Sequence, residues 1–162
     1  MFVQNNWNLT NWLNLETGLR TDYVADYRVA VLPRISAHFK ITDKFSSRLG
    51  GGFGYKAPTV FTEDSEKRQY RDVLPIDKDK NKLERSYGLN WDFNYVTSFG
   101  GGNVTFSVNQ LFFYTYLDSP LLLQPATGGM YQLNNIKGHT DSKGGETVSY
   151  THLRAHETLR HL

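Results

Sequence analysis

Apolar and polar residues alternate along most of the chain, most clearly between residues 84 and 99. One set of positions there is almost wholly aromatic or aliphatic, and the intervening set is polar. The apolar set is Tyr87, Leu89, Trp91, Phe93, Tyr95 and Phe99, and the polar set is Ser86, Gly88, Asn90, Asp92, Asn94 and Ser98. A period of two residues predicts a β-strand with one apolar face and one polar face.

The same period recurs in residues 9–20, 29–41, 45–55 and 103–116, and more weakly from Met130 towards Thr147. Together these segments predict an all-β chain of about six strands, most of them about ten residues or longer. Strands of soluble sandwiches are usually only about five or six residues long. The pattern therefore favours an antiparallel up-and-down meander that forms part of a larger transmembrane β-barrel.

The predicted connections alternate in length. Tight turns are expected at Thr42–Lys44 and at Gly100–Asn103, where glycines allow positive φ. Long connections are expected at residues 21–28, 56–83 and 117–129. Short turns at one end, long loops at the other, and tyrosine and tryptophan towards the ends of the apolar faces are typical of outer-membrane barrels.

Composition narrows the possible functions. The 162 residues suffice for one domain, and 14% of them are aromatic. The formal net charge of +2 points to no polyanionic partner, so no nucleic acid is expected. The absence of cysteine excludes disulfides and thiolate metal sites. The N-terminus has no signal-peptide pattern, which indicates either a cytoplasmic protein or a piece of a larger one.

Several blocks of the sequence resemble, in order, the barrel of TonB-dependent outer-membrane receptors. They are LNLETGLRTDY, VLPRISAHFKITDKFSSRLGGGFGYKAPTVFTE, and ERSYGLNWDFNY followed by FSVNQLFFYTYLDSPLLL. The most similar feature is a strand with Pro-Arg, then a strand ending in Gly-Tyr-x-Ala-Pro before a long loop. The resemblance covers about residues 1–147.

This resemblance implies an outer-membrane barrel of about 22 strands with a plug inside it. Receptors of this family import siderophore-bound iron, cobalamin or other scarce nutrients and are not enzymes. The implied partners are outer-membrane lipid, a small nutrient ligand, and the TonB complex, which acts through the plug. About six strands form only part of such a barrel, and their open edges predict that the isolated chain aggregates or stays misfolded.

Five residues are candidates for substrate contact. Arg34 and Arg48 fall on the polar faces of neighbouring predicted strands, where they either pair with carboxylates or line a route for an anionic substrate. Tyr70, Arg71 and Asp72 lie in the long charged loop, and outer loops close over substrate in the family. The glycines of GGGFGYK lack the ending of a phosphate-binding loop and are expected to be structural. No catalytic set, cofactor site or metal site is predicted.

The C-terminal residues 148–162 require a separate interpretation. Val148–Thr158 resembles, residue for residue, a translated adapter used in DNA sequencing libraries. His152 and His156 have the i, i+4 spacing that could hold zinc on a helix, but the adapter resemblance makes this interpretation unattractive. We expect residues 148–162 to be an artefactual tail with no strand partner, poorly ordered or forming a short helix.

Two other functions remain open from the sequence. One is a passive channel or another outer-membrane barrel, which needs no plug. The other is a soluble β-rich carbohydrate-binding module, which would fold as a monomer without detergent.

Overall fold

A computed structural model of the chain describes residues 1–25 and 27–153. Nearly all regular structure in these residues is β-strand, with one short α-helix in a loop and two three-residue 3₁₀ turns at Gly100–Gly102 and Thr127–Gly129. The elements are β1 Phe2–Asn8, β2 Leu13–Val24, β3 Arg28–Lys40, β4 Phe45–Lys56, α1 Glu63–Lys67, β5 Glu84–Phe99, β6 Val104–Asp118, β7 Leu121–Pro125, β8 Tyr131–Asn135 and β9 His139–Leu153.

Seven strands form one antiparallel sheet in the order β1-β2-β3-β4-β5-β6-β9, and β7 and β8 form a separate hairpin. The predicted all-β antiparallel meander with open edges is confirmed. The sequence pattern missed β1, whose asparagines interrupt the alternation. It also merged two strands between Met130 and Thr147, which the structure separates at residues 136–138 into β8 and β9.

Because the sheet is a meander, its connections fall alternately at two ends. The short-turn end contains residues 9–12, 41–44 and 100–103, and the predicted positive φ is confirmed at Gly100, Gly101 and Gly102. The long-loop end contains residues 57–83 and 119–138. The long loop expected at residues 21–28 is wrong, because Thr21–Val24 extend β2 and pair with β3 up to Arg28, leaving only residues 25–27.

The register gives the sheet one mostly apolar face and one mostly polar face. Leu49, Trp91 and Phe112 lie side by side on the apolar face, and Gly50, Asn90 and Phe113 lie on the other. The described residues contain almost no conventional core, since only Ala30, Leu121 and Leu133 are buried apolar residues. Leu89 remains 49% exposed and Trp91 47% exposed. A sheet with this much exposed apolar surface needs an apolar surrounding.

Trp91 lies in the middle of β5, although tryptophan was expected towards the strand ends. Its indole N–H donates to the Ser47 hydroxyl at 3.0 Å, and that hydroxyl donates to the Asp92 carbonyl oxygen at 3.0 Å. Ser47 is buried on the apolar face. The polar N–H of the indole is therefore satisfied within the sheet, which allows a tryptophan in the middle of an apolar face.

The expectation that residues 148–153 have no strand partner is wrong. Val148–Leu153 continue β9 and pair with Val104–Asn109 of β6. Their β-branched and aromatic residues favour a strand, and their backbone groups satisfy those of β6. The expected helix around His156 and the remainder of the tail lie outside the described residues.

In the last part of β9, Val148 and Tyr150 fall on the polar face, whereas Leu153 lies beside Val104 on the apolar face. Ser149 and Thr151 lie beside Val108 and Phe106 on the apolar face, whereas Tyr150 lies beside Ser107 on the polar face. A native lipid-facing strand would place its apolar residues with Val108 and Phe106. The same register places Asp141 and Lys143, in the preceding part of β9, beside Tyr116 and Tyr114 on the apolar face, so the register does not separate the two parts of the strand. From the adapter resemblance alone, we propose that residues 148–158 derive from an adapter and that residues 1–147 are the native segment.

Sequencing the source genome across the codons for residues 143–162 tests this origin. We expect the reading frame after Thr147 to diverge from VSYTHLRAHET, with apolar residues at positions that share a face with Val108 and Phe106. A genome that encodes the present tail would contradict the adapter origin.

Candidate functional site

The polar face brings Arg34 and Arg48 together, as the alternation predicted. Both line one open cavity of about 460 Å³ in the middle of the sheet. The lining also includes Glu16, Ser36, Gly50, Gly52, Gly88, Asn90 and Asp92. Arg48 lies opposite His38 of β3 and Asp92 of β5 in the strand register. Charges of both signs and small residues make this a hydrated surface rather than an apolar pocket.

Arg34 is positioned by the glycines beside it. Its guanidinium forms an ion pair with Glu16, with Nη2 3.0 Å from Oε1. A Cβ atom at Gly18 would lie 2.9 Å from Cγ of Arg34, and one at Gly52 would lie 3.1 Å from its Cβ. The two glycines therefore leave the space in which the arginine side chain lies across the sheet. This confirms a structural role for Gly52 within the GGGFGYK run.

A second cluster on this face was missed by sequence reasoning. The Asp22 carboxylate accepts hydrogen bonds from Arg20 Nε at 2.9 Å and from the Tyr55 hydroxyl at 3.2 Å. The alternation had assigned Tyr55 to the apolar face. The β4–β5 ladder keeps Tyr55 in step with Phe53, since Phe53 pairs with Tyr87 and Tyr55 with Arg85. The β3–β4 ladder ends at Arg34 and Gly52, and beyond that point the Tyr55 hydroxyl reaches the Asp22 carboxylate.

At the long-loop end, the loop of residues 57–83 and the β7–β8 hairpin pack against each other. Leu133 of the hairpin is only 1% exposed. Asn135 donates its backbone N–H to Asn81 Oδ1 at 3.1 Å and accepts from the Lys82 backbone N–H at 2.7 Å. The buried Glu84 carboxylate accepts from the Leu121 N–H at 2.7 Å. We call these two segments together the outer-loop unit.

The candidates Tyr70, Arg71 and Asp72 lie in the outer-loop unit, apart from Arg34 and Arg48. Tyr70 is 45% exposed and makes an edge-to-face contact with the exposed Phe61 at 5.8 Å between ring centroids. Asp72 uses its carbonyl oxygen to accept the Tyr131 N–H at 2.7 Å, so its backbone is structural. Sequence reasoning did not single out Phe61, which the structure places beside Tyr70.

Two ion pairs shape the charge of this unit. The Lys67 ammonium lies 2.8 Å from Glu63 and holds the pKa of that carboxyl below its ordinary value. Lys80 lies 3.1 Å from Asp77, and its hydrogen bond likewise lowers the pKa of Asp77. Both carboxylates are therefore charged at neutral pH.

Residues 1–25 and 27–153 contain no cluster of three or more histidine, cysteine or acidic side chains placed to hold a metal ion. No helix in the same residues has the length and apolarity needed to span a membrane.

The sequence matches the family described as "TonB dependent receptor-like, beta-barrel" over residues 1–158. The chain therefore belongs to the TonB-dependent receptor β-barrel family. Members of this family are outer-membrane receptors and transporters rather than enzymes. A search of curated proteins found no match.

Solved structures show the same fold at low sequence identity. The siderophore receptor PirA from Pseudomonas aeruginosa superposes with a TM-score of 0.70 at 18% identity, over 90% of this chain and 26% of that one. The hemophore receptor HasR from Serratia marcescens gives a TM-score of 0.70 at 14% identity, over 93% of this chain and 31% of that one. The ferric enterobactin receptor PfeA from Pseudomonas aeruginosa gives 0.68 at 17% identity, over 90% and 23%. The chain spans less than a third of each of these chains.

A Gly18→Val substitution tests how Arg34 is positioned. The new side chain would meet the Arg34 stem, so we expect the free energy of unfolding of the complete receptor to fall by about 1–3 kcal/mol. Gly88→Val is the matched control, because Gly88 lies on the same face and a Cβ atom there would have no neighbour within 4 Å. Denaturant unfolding measures both variants, and equal losses would contradict the proposed crowding.

A Gln69→Gly substitution tests the backbone at the end of α1. Gln69 has a φ of 53°, a left-handed conformation that glycine adopts without steric cost. We expect glycine to stabilise this helix end by about 1 kcal/mol, seen as slower amide exchange around residues 69 and 70. Gln69→Ala is the control, because alanine has the same free-energy cost as glutamine at positive φ and should leave the exchange rate unchanged. Faster exchange in the glycine variant would contradict the prediction.

Proposed function

We propose that this chain forms part of the wall of a receptor that imports a scarce nutrient, such as a siderophore–iron complex or cobalamin. The observation that carries the proposal is the pairing of two surfaces on one sheet. A polar face offers a charged, glycine-lined cavity at Arg34 and Arg48, and the long-loop end presents Tyr70 in a folded loop unit.

Each surface of the sheet has its own place in the membrane. The apolar face contacts outer-membrane lipid, and the polar face lines the lumen and meets the plug. The long-loop end faces the outside, where Tyr70 and Arg71 contact the ligand. Arg34 and Arg48 line the route below. Transport draws its energy from the TonB complex through the plug of the complete receptor and involves no covalent chemistry.

The ligands named for similar structures support a ligand of this class. The PirA protein is called a siderophore receptor, PfeA is described in complex with enterobactin, and HasR in complex with its hemophore and haem. Ferric enterobactin and haem are therefore the first probes to use.

Energy dependence separates an active receptor from a passive channel. We expect the complete receptor, expressed in cells that lack their own receptors, to accumulate ferric enterobactin or haem only when TonB is present. Uptake measured with radioactive iron provides the readout. Uptake that persists without TonB would favour the passive channel, and a chain that folds as a monomer without detergent would favour the soluble module.

A Tyr70→Ala substitution tests the proposed ligand contact. Removing an exposed aromatic contact should weaken binding of the transported probe about tenfold, which corresponds to about 1.4 kcal/mol. Tyr23→Ala is the control. Tyr23 is an 82% exposed tyrosine that also lies at the long-loop end of the sheet, near the end of β2, but it is outside the outer-loop unit. Equal affinities of Tyr70→Ala and the unmodified receptor would contradict the contact.

A further inference from the structure

The segment that carries Tyr70 has an unusual backbone. Gln69, Tyr70 and Asp72 have φ values of 53°, 55° and 58°, although none of them is glycine. Each left-handed non-glycine residue costs free energy and persists only where surrounding contacts impose it. The contacts that impose this conformation therefore determine where the Tyr70 side chain is presented.

The first half of the segment is held by the end of α1. The Tyr70 N–H donates to the Ser65 carbonyl at 2.8 Å, and the Gln69 N–H donates to the Glu66 carbonyl at 2.7 Å. This is a Schellman motif, in which Gln69 occupies the position usually taken by glycine. A helix of this length is marginal alone, so the motif needs support from elsewhere.

The second half is held by a single residue of the other loop. Tyr131 donates its N–H to the Asp72 carbonyl at 2.7 Å and accepts the Leu74 N–H at 2.8 Å. Its ring also lies under the Arg68 guanidinium, with Cζ 3.6 Å from the ring centroid. Tyr131 therefore contacts the chain on both sides of the left-handed segment, at Arg68 before it and at Asp72 and Leu74 after it.

Tyr131 is itself fixed to the sheet through its hairpin. It pairs with Pro125 at the far end of β7 and β8, whose other end pairs Leu121 with Asn135. The Asn135 side-chain amide donates to the Ser119 carbonyl at 2.8 Å, and Leu121 binds the Glu84 carboxylate. The hairpin therefore fixes the segment of residues 69–72 relative to the ends of β5 and β6.

We propose that Tyr131 is a positioning residue that holds Tyr70 for ligand contact, so that the loop after β6 determines the binding geometry of the loop after β4. This inference rests on the proposed contact between Tyr70 and the ligand. The cation–π contact with Arg68 is the part that depends on the tyrosine side chain, because the two backbone hydrogen bonds do not.

Two substitutions of Tyr131 in the complete receptor separate the contribution of its aromatic ring from that of its backbone hydrogen bonds. Tyr131→Leu removes the aromatic face, and Tyr131→Phe keeps it. Arg68→Leu removes the other partner without altering the hairpin. We call the contacts of Tyr131 with Arg68, Asp72 and Leu74 the clamp. Hydrogen–deuterium exchange of the peptide covering residues 62–74 measures the stability of the clamp without any ligand. Binding of ferric enterobactin and haem measures whether the clamp contributes to ligand affinity. Exchange around Leu133 serves as the control for hairpin folding.

We expect exchange in residues 69–74 to become about tenfold faster in Tyr131→Leu and in Arg68→Leu, with no further increase in the double variant. Tyr131→Phe should exchange like the unmodified receptor and bind the probe equally well, and Tyr131→Leu should bind it more weakly. Unchanged exchange in Tyr131→Leu and Arg68→Leu would overturn the clamp whatever the ligand is. Faster exchange with unchanged binding would overturn the role of Tyr131 in ligand binding, and the affinity of Tyr70→Ala separately decides whether Tyr70 contacts the ligand.

Discussion

Hydrogen bonding of the backbone within a single layer of strands is the constraint on which this structure depends. Within residues 1–25 and 27–153 the sheet has no second layer on either face, and the only buried apolar side chains there are Ala30, Leu121 and Leu133. Ladder hydrogen bonds and contacts between neighbours on the same face therefore hold the strands together. In lipid an unpaired backbone group is costly, so these ladders must be extended and their register fixed. The chain meets this requirement with strands such as β5, which spans Glu84–Phe99.

The outer-loop unit follows a different principle. Two of the three buried apolar residues in the described part of the chain, Leu121 and Leu133, lie in its hairpin, and its polar contacts join segments far apart in the chain. It is thus a small folded body placed on the end of the sheet, able to hold left-handed residues such as Tyr70. In the sheet, the alternation of residues alone determines which side chains lie on each face. In the outer-loop unit, specific tertiary contacts determine which side chains are exposed.

Alternation made the sheet predictable, because a strand's period assigns every side chain to a face without knowledge of its neighbours. The placement of Arg34 and Arg48 on one polar face could be predicted for this reason. The outer-loop unit could not, because the contacts of Tyr131 with Arg68 and Asp72 depend on two loops meeting in space. The end of the β3–β4 ladder at Arg34 also has no periodic signal, so the hydrogen bond from Tyr55 to Asp22 was missed. The pairing of Val148–Leu153 was missed because the adapter resemblance outweighed their strand propensity.

The assignment of the apolar face to lipid is the central claim, and neighbouring residues of β5 test it most directly. Spin labels placed one at a time at positions 87–95 of the complete receptor in membranes can be exposed to oxygen, which enters lipid, and to a water-soluble nickel chelate. We expect a period of two residues, with the highest oxygen accessibility at Leu89 and Trp91 and lower values at Asn90 and Asp92. Oxygen accessibility with no alternation, or with its maxima at Asn90 and Asp92, would contradict the assignment.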